Sequence, residues 1–292
     1  MVISYRETKK EDFFELAKLF KIAFGKEISV NYFEWKYKNG YSLVAELNGE
    51  IVGHYGGVFF DYIFKNKNFK VVQATDLMTH PKVRHLIGKK GVLINLANLF
   101  FEFCLKNNVS FAYGFPGEKS RLLGEKYLNY KPLSKIKFWY FLLNEEKFMY
   151  PVENFQFINY DLKRIINFRK NNGIKKDISY LKWRYIENPI ENYFISTNED
   201  CLFILKFMGK EVLIMDCIYK SEKSALKLFK GIKTSLKNAN FECLKSFPLS
   251  FLEREKFEIK EENYFLEYKA LKINPKKILK FEYFSPSDYD LF

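Results

Sequence analysis

The sequence of 292 residues predicts an α/β protein built as two similar halves, each a mixed, mostly antiparallel sheet flanked by helices. Three observations predict it. A short aromatic motif recurs: Tyr32-Phe-Glu-Trp-Lys-Tyr-Lys-Asn39 matches Tyr180-Leu-Lys-Trp-Arg-Tyr-Ile-Glu-Asn188, about half a chain length later. Each copy precedes a strand–turn–strand pattern, around Asn48-Gly49 in the first half and Gly209 in the second. Between residues 71 and 115, two apolar runs flank a basic loop and a long apolar-faced segment, the pattern of a crossover between parallel strands. These place one domain at 1–148 and a second at 149–292.

The elements follow in order. Residues 2–6 read as a strand. Lys10 to Phe24 carries Phe13, Leu16, Ala17, Leu19 and Phe20 near helical spacing, with Gly25 as a stop. A hairpin spans 42–60 and a strand spans 71–79, where Pro81 ends the ladder. A loop at 80–90 leads to a helix over 92–106, closed by Asn107 and Asn108. A strand at 109–115, a short helix at 118–127 and a strand at 134–143 complete the first half. The second half reads as strands at 193–197, 201–207 and 211–218, a helix at 221–238, and strands at 243–247 and 264–271. One crossover among hairpins implies a mixed sheet. The segment 59–70 interleaves Phe59, Phe60, Tyr62, Phe64 and Phe69 with Lys65, Lys67 and Lys70, which reads as an exposed hairpin or as a base-stacking surface.

Composition narrows the function classes. Hydrophobic residues make up 48% and aromatic residues 19% of the chain, which excludes a disordered protein. Cys104, Cys201, Cys217 and Cys243 are scattered singletons, read as reduced thiols, and Cys104 falls on the apolar face of a helix. Three histidines without ligand spacing predict no metal site. The first residues lack a signal-peptide pattern, and the longest apolar region, from Gly91 to Leu105, is too short to span a bilayer and contains Glu102. The expectation is a cytoplasmic protein without a transmembrane segment. The net charge is +13, and residues 51–137 hold 14 basic against 5 acidic residues. That local excess points to an anionic partner or to a solvated lysine-rich surface.

Within that segment lies Ala74-Thr-Asp-Leu-Met-Thr-His-Pro-Lys-Val-Arg-His-Leu-Ile-Gly-Lys-Lys-Gly91. A strand end, then Arg84, His85, Gly88, Lys89, Lys90 and Gly91, then a long helix: this order suits a pyrophosphate, because glycines turn backbone N–H groups toward a ligand and a helix N-terminus carries partial positive charge. It is neither a P-loop nor the dinucleotide fingerprint. The strand MDCIYK of the second half runs into SEKSALKLF without a glycine, so the same wrapping is not expected there.

The order of elements and this loop resemble the GNAT acyltransferase superfamily, whose pyrophosphate loop reads [RQ]-x-x-G-x-[GA]. Here Arg84, Gly88 and Gly91 are the nearest match, one residue longer than the family spacing. The segment from Tyr113 to Tyr130 resembles the family's last core strand and helix, with Gly117 and Asn129 departing from its pattern. The resemblance covers about 1–145, with 149–292 as a degenerate second copy that shapes a substrate cleft between the halves. It implies acetyl-CoA as co-substrate, held by the backbone of Leu77, Met78 and Thr79, by Arg84, His85, Gly88, Lys89, Lys90 and Gly91, and by Ser120. Direct acyl transfer to an amine needs a base, an oxyanion donor and an acid for the thiolate. Asp76 and His80 are the candidate bases, Glu118 and Tyr113 sit at the adjacent strand–helix junction, and Tyr127 is the candidate acid. His54, in GHYGG on a hairpin strand, reads as structural. The function expected is an N-acyltransferase acting on a small amine, an amino sugar or sugar nucleotide among the candidates. Alternatives are a transferase of the same tandem fold using aminoacyl-tRNA, and a non-catalytic basic binding module.

Overall fold

The computed structural model describes residues 2–86, 88–143, 156–157, 172–198 and 200–289. They form two compact units, Met1–Ser134 with Tyr264–Leu279, and Lys135–Asn263 with Lys280–Phe292. The boundary expected at 148/149 lies outside the described residues. The segment 264–279, expected in the second half, belongs to the first unit.

In the first unit, two turns with left-handed residues set the sheet. Asn48 and Gly49 have φ of 53° and 82°, and β2 (Gly40–Leu47) pairs antiparallel with β3 (Glu50–Phe64) across them. A second such turn, Lys65 and Asn66 with φ of 46° and 64°, joins β3 to β4 (Lys67–Thr79). The hairpin expected over 42–60 thus extends to Phe64. The aromatic and lysine-rich stretch is therefore a hairpin, with the hydroxyl of buried Tyr62 donating to the Ile278 carbonyl at 2.9 Å. β1 (Ile3–Glu7) pairs with β2. Helix α1 (Phe13–Phe24) follows a 3-10 turn at Lys10–Asp12, and α2 (Val30–Lys36) carries the first copy of the aromatic motif.

Helix α3 (Val92–Lys106) crosses from β4 to β5 (Phe111–Gly114), which run parallel. Its apolar face, with Leu96, Phe100 and Cys104, packs with Leu43, Val52, Tyr55, Val72 and Ala112. Cys104 is buried there, and desolvation pushes its thiol up to about 12, so it is inert at neutral pH. Helix α4 (Glu118–Leu128) ends at Asn129 in the left-handed region, φ 59°. The chain then enters β6 (Lys131–Leu142), and residues of β6 from 135 onward belong to the second unit.

The second unit includes β7 (Gln156–Phe157) and β8 (Asn172–Ile174), then α5 (Ile178–Leu181), which continues as a π-helical turn over Lys182–Ile186. This is the second copy of the aromatic motif. β9 (Phe194–Asn198), β10 (Cys201–Met208) and β11 (Glu211–Tyr219) form an antiparallel meander. α6 (Glu222–Asn238) crosses to β12 (Cys243–Ser246), which lies parallel to β11 and antiparallel to β6. The single crossover expected from the sequence is thus one of two, one in each unit. Phe141, Phe203 and Leu244 lie in one core cluster with Phe229 of α6. The last strand, β13 (Glu258–Ala270), pairs with β5 of the first unit through Glu267–Ala270. In each unit the strand pairing is mixed and mostly antiparallel, flanked by helices, as predicted.

Candidate active site

The site starts from a fault in the β3–β4 ladder. Gly56 pairs with Thr75 and His54 with Met78, so Asp76 and Leu77 of β4 together oppose Tyr55. This is a β-bulge. Asp76 takes φ of 51°, a left-handed conformation that side chains other than Gly, Asn and Asp rarely adopt. Beyond it β4 runs on to Thr79, whereas its parallel pairing with β5 extends over Val71–Phe111, Val72–Ala112 and Gln73–Tyr113. β5 ends at Gly114, so the edge of β4 after Gln73 is not paired with it.

Asp76 is buried, and its carboxylate is occupied. Lys36 Nζ lies 3.0 Å from Oδ1, the Tyr32 hydroxyl donates to Oδ1 at 3.2 Å, and the Tyr37 hydroxyl donates to Oδ2 at 2.8 Å. All three donors come from the repeated motif and its following turn. Gly56 makes this possible, since a Cβ there would fall on the Tyr37 hydroxyl. From β3, His54 Nδ1 lies 2.7 Å from the Asp76 carbonyl. A carbonyl accepts, so Nδ1 carries the proton. Burial pushes the His54 imidazole below its ordinary pKa, which keeps the ring neutral. Asp76 is therefore a buried anchor of the bulge. As placed, it is not exposed to accept a proton from a substrate amine.

His80 ends β4 half-exposed, and its Nδ1 accepts from the Lys82 N–H at 3.1 Å while capping a 3-10 turn over Pro81–Val83. A neutral ring bonded in this way presents Nε2–H, a donor. Of the cofactor-binding set, Leu77 and Thr79 are half-buried and Met78 is buried. Arg84 is exposed, with Nε donating to the Thr79 carbonyl at 3.0 Å. His85 and Lys90 are exposed, and the side chain of Lys89 lies outside the described residues. Gly88 sits at φ 62° with open space on its Cβ side, and Gly91 is the N-cap of α3. Among the described residues no side chain caps α3, whose first-turn N–H groups follow a glycine. A Cβ at Gly91 would press on the Gly88 carbonyl at 3.1 Å. The donor chemistry and the room fit a pyrophosphate. In the second unit, two residues separate β11 from α6, and Ser221 accepts from the Ser224 N–H at 3.2 Å, capping the helix from within.

Glu118 and Ser120 are exposed in the first turn of α4, Tyr113 is buried on β5, and Tyr127 is half-buried with Lys126 Nζ 5.1 Å from its ring centre. Sequence reasoning missed the roles of Tyr32, Lys36 and Tyr37, although the repeated motif containing them was in hand. It also missed Glu267. The turn to β13 brings this carboxyl opposite Gly114, close to Gly124 of α4, where burial, reinforced by the Glu125 charge, pushes it up to about 8.

The candidate site thus combines a bulged fourth strand, a parallel fifth strand paired with it only up to Gln73, and the glycine start of the crossover helix between them. Residues 4–123 match the family model of the acetyltransferase (GNAT) domain. Solved structures share the fold over nearly the whole chain. A conserved protein of unknown function from Enterococcus faecalis V583, described as a probable N-acyltransferase, is 11% identical, with 93% of this chain and 73% of that one covered and a TM-score of 0.71. GCN5-related N-acetyltransferases from Kribbella flavida (11% identical, 93% and 71% covered, TM-score 0.68) and Anabaena variabilis ATCC 29413 (10%, 92% and 73%, TM-score 0.68) are also similar. No curated protein matches the sequence.

Proposed function

We propose that the first unit transfers an acetyl or other short acyl group from acyl-CoA directly to a small amine, an amino sugar or sugar nucleotide being the preferred acceptor class. The observation that carries this reading is the N-terminus of α3: a glycine start, Gly88 with open space where a Cβ would stand, and exposed Arg84, His85 and Lys90 around it, after the bulged strand. These groups would hold the pyrophosphate, the backbone of Leu77 to Thr79 the pantetheine arm, and Ser120 a phosphate or the arm from α4. Acetyl-CoA, when bound, supplies the activated acyl carbon. A backbone N–H of the bulge would meet the acyl oxygen as its negative charge develops. Glu118 is the exposed carboxylate of the candidate set and would take the amine proton directly or through water. Tyr127 would return a proton to the sulfur, with the donor His80 Nε2–H as a second source. The second unit, with α6 capped by its own serine, is read as a degenerate copy without a CoA site.

Titration of acetyl-CoA, CoA and total tRNA into the protein, followed by thermal unfolding, tests the reading. Acetyl-CoA or CoA at a hundredfold over its Kd should add about 2.7 kcal/mol and raise Tm by several degrees. Stabilisation by tRNA without stabilisation by CoA would overturn the proposal in favour of the aminoacyl-tRNA-dependent reading. Gly88→Trp should unfold cooperatively but lose the CoA-induced shift, because the indole would fill the open space.

A further inference from the structure

The bulge is held from two sides. The carboxylate of Asp76 is tied to α2 through Tyr32, Lys36 and Tyr37, and its carbonyl is tied to β3 through His54. The histidine is unusual in what it forgoes. His54 is fully buried, and its Nε2 has no hydrogen-bond partner among the described residues. A buried nitrogen left in this state costs stability that an apolar side chain would not. Its ring contacts are equally open to an apolar residue: the Tyr37 ring stands edge-on at 5.6 Å. What an apolar residue would lack is the 2.7 Å bond from Nδ1 to the Asp76 carbonyl.

That bond aims a donor. The described peptide bonds are trans, and in a trans peptide the carbonyl of one residue and the N–H of the next point in opposite directions. With the Asp76 carbonyl drawn to His54 of β3, the Leu77 N–H points the opposite way, toward the edge of β4 that is not paired with β5 after Gln73. Asp76 at φ 51° is the conformation that permits this turn, and it persists because both ends of the residue are restrained.

We infer that His54 is a positioning residue: by donating from Nδ1 to the Asp76 carbonyl it fixes the bulge peptide so that the Leu77 N–H faces the acyl oxygen. The inference rests on the acyltransferase reading above, but its structural part can be tested separately. The variants are His54→Leu, which removes the donor, His54→Gln, whose amide places its donor farther out, and His54→Asn, whose side-chain N–H occupies the place of Nδ1. The probe is acetyl-CoA, with thiol release measured to water and to the best amine from a screen, beside acetyl-CoA affinity and deuterium exchange of residues 74–80.

His54→Leu and His54→Gln should lower kcat about 10- to 100-fold while acetyl-CoA affinity stays near that of the wild type. His54→Asn should restore kcat to within a few-fold. Exchange over 74–80 should quicken in the Leu and Gln variants and not in the Asn variant. An unchanged kcat in His54→Leu, or an Asn variant as impaired as Leu, would overturn the inference. Where His54→Leu does not fold, the comparison of Asn with Gln decides. If the wild type neither binds acetyl-CoA nor releases thiol, the acyltransferase reading fails, and exchange over 74–80 still decides whether His54 holds the bulge.

Discussion

At the scale of single residues, Asp76 carries most of the constraint. Its left-handed backbone, its buried carboxylate and its three donors make it an anchor. Asp76→Ala would remove the carboxylate that pairs with the buried Lys36 and impose a left-handed alanine. A loss of about 3–5 kcal/mol in urea unfolding is expected. Asp76→Asn tolerates the backbone conformation and keeps one acceptor oxygen for a tyrosine hydroxyl, so it should lose less. Equal losses would show that the backbone conformation contributes nothing. The second unit repeats the device. The Tyr185 hydroxyl donates to Asp216 of β11, as Tyr37 does to Asp76 of β4, and Lys176 Nζ lies on Asp216 at 2.5 Å. In both copies the motif's last tyrosine docks on an aspartate of the strand before the crossover helix.

Between elements, the contact of α4 with β13 carries its own pH dependence. Glu267 is buried opposite Gly114, with Glu125 raising its pKa and Arg121 partly offsetting. Beside it the Lys269 ammonium donates to the Leu128 carbonyl at the end of α4, at 2.5 Å. The folded protein keeps the Glu267 proton up to about pH 8, and the unfolded chain releases it near 4.5. Between those values the folded state binds more protons, so stability falls as pH rises, by about 1.4 kcal/mol per pH unit. Below 4.5 and above 8 this group adds no slope. Glu267→Gln should therefore match the wild type near pH 4.5 and exceed it at pH 8, by at most about 5 kcal/mol. Urea unfolding at the two pH values checks this, and a parallel offset at both would reject it.

For the whole molecule, the consequence of the topology is that the first unit is not a continuous stretch of chain. Residues 264–279 complete it, pairing β13 with β5 and accepting the Tyr62 hydroxyl at Ile278. A fragment ending at residue 148, the boundary legible in the sequence, would leave the β5 edge unpaired and the Glu267 side of α4 uncovered. It should give no cooperative unfolding transition, whereas the full chain should. A sharp transition in the fragment, seen by far-UV circular dichroism with urea, would refute this.

Local patterns carried much of this protein. The spacing of Leu16, Leu19 and Phe20 placed α1, Asn48-Gly49 placed the first hairpin, and the glycines and cations of 84–91 placed the anion-ready start of α3, because each depends on neighbours a few residues away. The duplicated Tyr-x-x-Trp motif was equally legible. What it docks onto was not, since Asp76 and Asp216 lie some 30–40 residues further along and meet it only across the sheet. The same holds for the enclosure of Asp76, which turns a candidate base into an anchor, for the bond that gives His54 a purpose, and for Glu267, which β13 brings back across the length of the second unit. Sequence spacing sets which side chains share a face. Strand pairing decides which of them share a site, and burial then decides which are left free to react.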